Sequence, residues 1–185
     1  MFDSEIGQLT VQERGILATN GLTTYLDEFA RTERRPISAY EPPVLLTRKR
    51  KYYSHGQEFI VEWQDLGQPL PRWFDPLMQG FTDILALPVN WDSYGAGTVQ
   101  PGPVNVAMNV ANGIMRPSTP SPRVVPLSSG GVQLEWHREG IDVELIFDPE
   151  EEPSFYYRNS QTGEEADGLL SESWNLLAEV IGGLE

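Results

Sequence analysis

Gly130-Gly131-Val132-Gln133-Leu134-Glu135-Trp136-His137, then Ile141-Asp142-Val143-Glu144-Leu145-Ile146-Phe147 after the turn Arg138-Glu139-Gly140, is the stretch whose reading decides the fold. Apolar and polar residues alternate with period two, the period at which a strand sends side chains to opposite faces. Val132, Leu134 and Trp136 therefore point to one face, and Gln133, Glu135 and His137 to the other. In the second run Ile141, Val143, Leu145 and Phe147 stand against Asp142 and Glu144. One face is buried and one is wet, which describes an antiparallel sheet with a single covered side.

Working outward, residues 123–127 and 154–159 have the same character, and short turns connect all four runs. Short connections allow only antiparallel neighbours, so the sequence predicts a four-stranded meander. Its apolar face needs covering, and three stretches with helical spacing are available. Trp73, Leu77, Phe81 and Ile84 mark a helix over 73–87. Val104, Ala107, Met108, Ala111 and Met115 mark one over 103–115. Leu170, Trp174, Leu177 and Ile181 mark a last one over 169–181. Trp136, Leu145, Phe147, Phe81 and Trp174 are expected in the core.

Ahead of this body, Thr10 and Glu13 have the spacing of a capping box, and an apolar stripe from Ile16 to Phe29 predicts a helix over 11–32. Residues 44–53 and 58–64 read as a β-hairpin. The predicted class is α+β, an antiparallel four-stranded meander packed by helices with an N-terminal helix and hairpin appendage. The expected division is residues 1–66 and residues 67–185.

The chain has 185 residues, 39% hydrophobic and 22% charged, which is enough to bury a core. It has no cysteine, so disulfides and thiolate metal sites are excluded. The acidic start Met1-Phe2-Asp3-Ser4-Glu5 does not match a signal peptide, and no run is long and apolar enough for a membrane helix. The expectation is a cytoplasmic protein with no membrane partner.

The net charge of −14 is unevenly divided. Residues 139–185 hold thirteen acids against Arg158 alone, a net of −12, and include the run Glu150-Glu151-Glu152. Residues 31–51 hold seven basic residues against Glu33 and Glu41, a net of +5, and include Arg48-Lys49-Arg50-Lys51. The acidic block suits a basic protein partner, as in antitoxins and inhibitors that neutralise one. The basic run admits a nucleic-acid reading, but a strand sends Arg48 and Arg50 to one face and Lys49 and Lys51 to the other. Both blocks also read as ordinary solvated surface.

Motifs for chemistry are sparse. His55 and His137 are the only histidines, and neither has a helically spaced ligand companion. Gly95-Ala96-Gly97 lacks the residues that cradle a phosphate, so no cofactor is expected. Carboxylates that could hold magnesium are plentiful, but their spacing singles out no site, and no metal residues are assigned. Asn90-Trp91-Asp92-Ser93-Tyr94-Gly95-Ala96 is a dense cluster between two helices. It reads either as a core plug built on Asx turns or as a recognition loop with Trp91, Asp92 and Tyr94 as contacts. The split expected is a largely buried Trp91, with Asp92 and Tyr94 available to a partner. Gln133, Glu135 and His137 form a second polar set.

These two motifs, the stretch 87–96 with 130–136 and 141–145, resemble a family of small uncharacterised bacterial proteins over about residues 73–160. The resemblance implies a bacterial cytoplasmic origin and the order loop, helix, meander. It also suggests a paired-gene or defence setting, and it carries over no activity. The functional expectation is an acidic, antitoxin- or inhibitor-like protein acting through protein–protein interaction. The alternatives are a small hydrolase-like enzyme centred on Asp92, Tyr94, Glu135 and His137, or a nucleic-acid binder using the basic hairpin.

Overall fold

A computed structural model describes residues 10–12, 46–54, 56–65 and 69–184. It is an α+β structure with two antiparallel sheets and three α-helices among these residues. The smaller sheet joins β1 (Thr10–Gln12), β3 (Gln57–Asp65) and β2 (Leu46–Ser54), with β3 in the middle. The larger is an uninterrupted meander of β4 (Arg123–Pro126), β5 (Val132–Arg138), β6 (Ile141–Phe147), β7 (Ser154–Asn159) and β8 (Glu164–Leu169). Helices α1 (Phe74–Leu85), α2 (Pro101–Ile114) and α3 (Trp174–Gly182) complete the body.

The alternation in β5 and β6 has the predicted sense. Val132, Leu134, Trp136, Val143, Leu145 and Phe147 are buried, while Gln133, Glu135, Asp142 and Glu144 are partly exposed and His137 is exposed. Register pairs Leu134 with Leu145 and Trp136 with Val143, so apolar residues meet across the strands. Helix α2 covers β5 and β6, α1 covers β4 and reaches β2, and α3 packs on α2. Two prolines in the first turn of α2 sit where their missing N–H groups have no helical partner. At Gly80 an added Cβ would lie 2.7 Å from Val124, which shows how closely α1 seats on β4.

The hairpin shares this core. Tyr52, Phe59 and Val61 are buried in the same cluster as Phe74, Leu77 and Phe81. Polar bonds fasten its edge: Arg50 and Tyr52 both engage the Asp75 carboxylate in the first turn of α1, and Ser54 donates to Asp83 at 2.8 Å. A carboxylate in a first turn also complements the helix dipole, so Asp75 serves both elements.

Four expectations are corrected. The meander has five strands: β8, with the sequence Glu-Glu-Ala-Asp-Gly-Leu, lacks β-formers but is held in place by pairing with β7. The last helix does not start near Leu169. That residue ends β8, and a short 3₁₀ turn at Leu170–Glu172 precedes α3. Trp174 is not core but 37% exposed, its ring lying over Gly113 of α2, where the missing side chain makes room. Thr10–Gln12 pairs with β3 as strand and does not open a helix; the rest of the helix expected over 11–32 lies outside the described residues.

Candidate partner interface at the loop end of the sheet

The loop between α1 and α2 folds on its own polar side chains. Asn90 and Ser93 take positive φ of 63° and 66°, and Gly95 follows at 98°. The Asn90 Oδ1 accepts the Gly95 N–H at 2.7 Å, and the Asp92 Oδ1 accepts those of Tyr94 at 2.8 Å and Ala96 at 3.0 Å. These are Asx turns, in which a short side chain stands in for a backbone carbonyl. The Asn90 N–H closes the loop onto the Ala96 carbonyl at 2.7 Å. Ala96 and Val99 anchor the loop in the protein interior.

Trp91 is half-buried and not the largely buried plug expected, and its indole N–H donates to the Gly97 carbonyl at 3.2 Å. Asp92 faces inward onto the loop's own amides, which hold its carboxyl below the usual carboxylate range. Tyr94 is left at the tip, 94% exposed, with Val89 nearby at 69%. An acid with a depressed pKa contributes stability above its unfolded value and loses it as pH falls. Asp92→Ala is therefore expected to lower the melting temperature at pH 7, with the gap to wild type narrowing toward pH 3; thermal melts at both pH values check this.

Hydrogen bonds fix where this loop sits. The Gly97 N–H donates to Ser128 at 3.3 Å and that of Gln100 to Gly130 at 2.8 Å, tying the loop to the β4–β5 turn. Gly131 lies so close to the end of β6 that a Cβ would stand 2.4 Å from the Phe147 carbonyl oxygen. That approach brings in the β6–β7 bend, where Asp148 accepts the Glu150 N–H and Glu150, Glu151 and Glu152 are exposed. Bonding from Ser129 and Glu150 holds the Asp148 carboxyl low as well.

One end of the sheet thus gathers Tyr94, Asp92, Asp148 and Glu150 to Glu152. None of the five arginines of residues 69–184 lies in the loops at this end. Arg72 and Arg116 flank the Trp73 indole bond to the Arg116 carbonyl, where α1 begins and α2 ends. Arg123 opens β4, Arg138 closes β5, and Arg158 pairs across from Asp142 near the opposite turns.

Gln133, Glu135 and His137 do sit together on the wet face. The Gln133 amide donates to Glu135 at 3.2 Å and Glu144 at 2.9 Å, bridging two carboxylates that face each other across β5 and β6. His137 Nδ1 lies 2.8 Å from Asp142 and its Nε2 3.5 Å from Glu135. Those carboxylates, Asp142 first, raise the imidazole pKa above its ordinary value. A raised histidine pKa gives stability that is complete below the unfolded value and lost as pH rises through the folded one. Stability is expected to drop on passing from pH 6 to pH 8, and His137→Gln to flatten that drop; denaturant titrations across the range measure it.

The structure does not bring Asp92 and Tyr94 to Glu135 and His137. His137 stands six residues along the chain from Gly131 of the turn that anchors the loop, roughly 20 Å at the rise of a β-strand. With Asp92 engaged by backbone amides, the enzymatic set of four is split. Among the described residues, no group of three His, Asp or Glu side chains is placed to hold a metal ion, and no helix is long and apolar enough to cross a membrane.

The basic run is divided by the pleat as expected and matched at home. Lys49 pairs with Glu62, Lys51 with Glu58 at 2.9 Å, and Arg50 with Asp75. The Arg50 guanidinium also lies over the Trp63 ring, 5.7 Å from its centre, and Arg48 stands opposite Trp63 in the register. Three of the four cations thus have an acid close by, which lowers the net charge that this strand presents.

Sequence reading missed that the bend and the aromatic loop meet at the same end, because both are tied to the β4–β5 turn at 128–131 by long-range contacts. The adjacent glycines were the available signal. Compared with protein-family models, curated proteins and solved structures, the chain has no match.

Proposed function

We propose that this protein binds a basic protein partner through the loop end of its sheet, in the manner of an antitoxin or inhibitor. The observation that carries the reading is Tyr94, 94% exposed at the tip of a loop locked by side-chain-to-backbone bonds. A prearranged tyrosine loses little freedom on docking, and aromatic residues of this kind dominate binding energy at interfaces. Five carboxylates at the same end, with none of the five arginines of residues 69–184 in its loops, favour approach of a cationic surface. The resemblance to small bacterial proteins adds a cytoplasmic setting and a partner encoded nearby as parts of the same proposal.

The test is affinity capture with tagged wild-type chain, Tyr94→Ala, and a Glu150→Gln/Glu151→Gln/Glu152→Gln triple variant. A stoichiometric basic protein held by wild type, released by salt and weakened in both variants is the expected outcome. Equal capture by all three proteins sinks the reading. Nucleic acid as the captured species points instead to the hairpin.

A further inference from the structure

Strand β8 ends the meander and, among the described residues, has a strand neighbour on one side only, β7. An antiparallel strand directs half its backbone N–H and C=O groups to each side, so the outer row of β8 is presented as a template. Register with β7 fixes its two faces. Ala166 stands opposite Tyr157 and Gly168 opposite Phe155, on the core side. Glu165 and Asp167 lie on the wet side, exposed, beside Arg158 and Tyr156. Glu165 already receives a bond from the Tyr156 hydroxyl at 2.9 Å, which orders that face.

We infer that the β8 edge accepts an extended strand from a partner protein, with Lys or Arg at alternate positions and small apolar residues between them. The spacing follows from the pleat: a strand added beside β8 places every second side chain next to Glu165 and Asp167, and the intervening ones next to Ala166 and Gly168. Charge complementarity selects this occupant. A second copy of β8 would set carboxylate against carboxylate across the new pair, which is unfavourable, so self-pairing at this edge is opposed. Leu169, the last residue of β8, pairs with Ser154, immediately after the acidic bend, so a strand running along the edge meets Glu152 and its neighbours at its end. The inference rests on the partner-binding reading and gives its partner a backbone conformation and a sequence period.

The probe is a seven-residue acetylated peptide of alternating Lys and Val, added to the full-length isotope-labelled chain. Comparison peptides carry Glu in place of Lys, or N-methyl groups on either alternate set of amides. The Lys–Val peptide is expected to slow exchange of the outward-facing amides, those of Glu165, Asp167 and Leu169, by about tenfold or more at saturation, and to leave those of Ala166 and Gly168, which face β7, unchanged. One N-methylated version should bind and the other fail, since only one set of amides faces the edge. Glu165→Lys/Asp167→Lys, with a wild-type melting curve, should reverse the preference to the Glu–Val peptide. Glu165→Gln/Asp167→Asn serves as the milder substitution if the first does not fold, and should weaken the Lys–Val peptide. Equal binding of both N-methylated peptides, with shifts confined to 148–152, overturns the edge while retaining a basic partner for the bend. Binding nowhere on the chain overturns the edge and leaves the Tyr94 capture as the separate test of the wider reading.

Discussion

Trp136→Ala is expected to cost about 3–5 kcal/mol, the range for removing a large aromatic side chain from a packed interior. Trp136 is 2% exposed, and its indole N–H donates to the Pro120 carbonyl at 2.9 Å, so the substitution opens a void and releases the connector 117–122. Against a total stability of about 5–15 kcal/mol, the loss should lower the melting point by roughly 10 °C or more. Trp136→Phe keeps most of the volume and gives up the hydrogen bond, so a smaller loss of about 1 kcal/mol is expected from that bond. Urea titrations of both variants measure the difference. Equal losses would mean that the bond to Pro120, and not the packing, holds this strand.

The second large effect falls on binding and not on folding. Tyr94→Ala removes a side chain that touches little of its own protein, so its melting curve should overlay that of wild type. Partner affinity should fall by about 2 kcal/mol or more, roughly 30-fold in Kd, as for a central aromatic anchor. Isothermal titration with the captured partner reads this directly. A variant that melts early but binds normally would make the loop scaffolding.

The helix-covered meander was legible because its signal is periodic: alternation in β5 and β6 and the 3.6-residue stripes of α1 and α2 survive without any tertiary information. Strand β8 was not legible, because Glu164 to Leu169 carries neither alternation of apolar residues nor β-forming side chains, and its place is supplied by β7. Trp174 misled for a related reason. Helical spacing marks which residues share a face, but not that Gly113 would leave the ring a shelf near solvent. For the candidate site, the sequence marked Tyr94 and the glutamates separately. Their placement at one end depends on the β4–β5 turn, which bonds the loop through Ser128 and Gly130 and meets the bend at Ser129 and Gly131, long-range contacts that no local pattern encodes. Asp92 was legible as an Asx residue, and that local role engages its carboxylate.

The five carboxylates in the loops around Tyr94, those of Asp92, Asp148 and Glu150 to Glu152, form one concentrated negative pole on a body that is acidic elsewhere too. A cationic surface attracts that pole most strongly, so adsorption is expected to be end-on with the Tyr94 loop leading. Retention on an anion exchanger should then exceed that of a chain with equal net charge spread evenly, because the resin meets one concentrated pole. Immobilised in this way, the protein would stand in a common orientation, with the turns around Gly140 and Ser160 facing outward into solution.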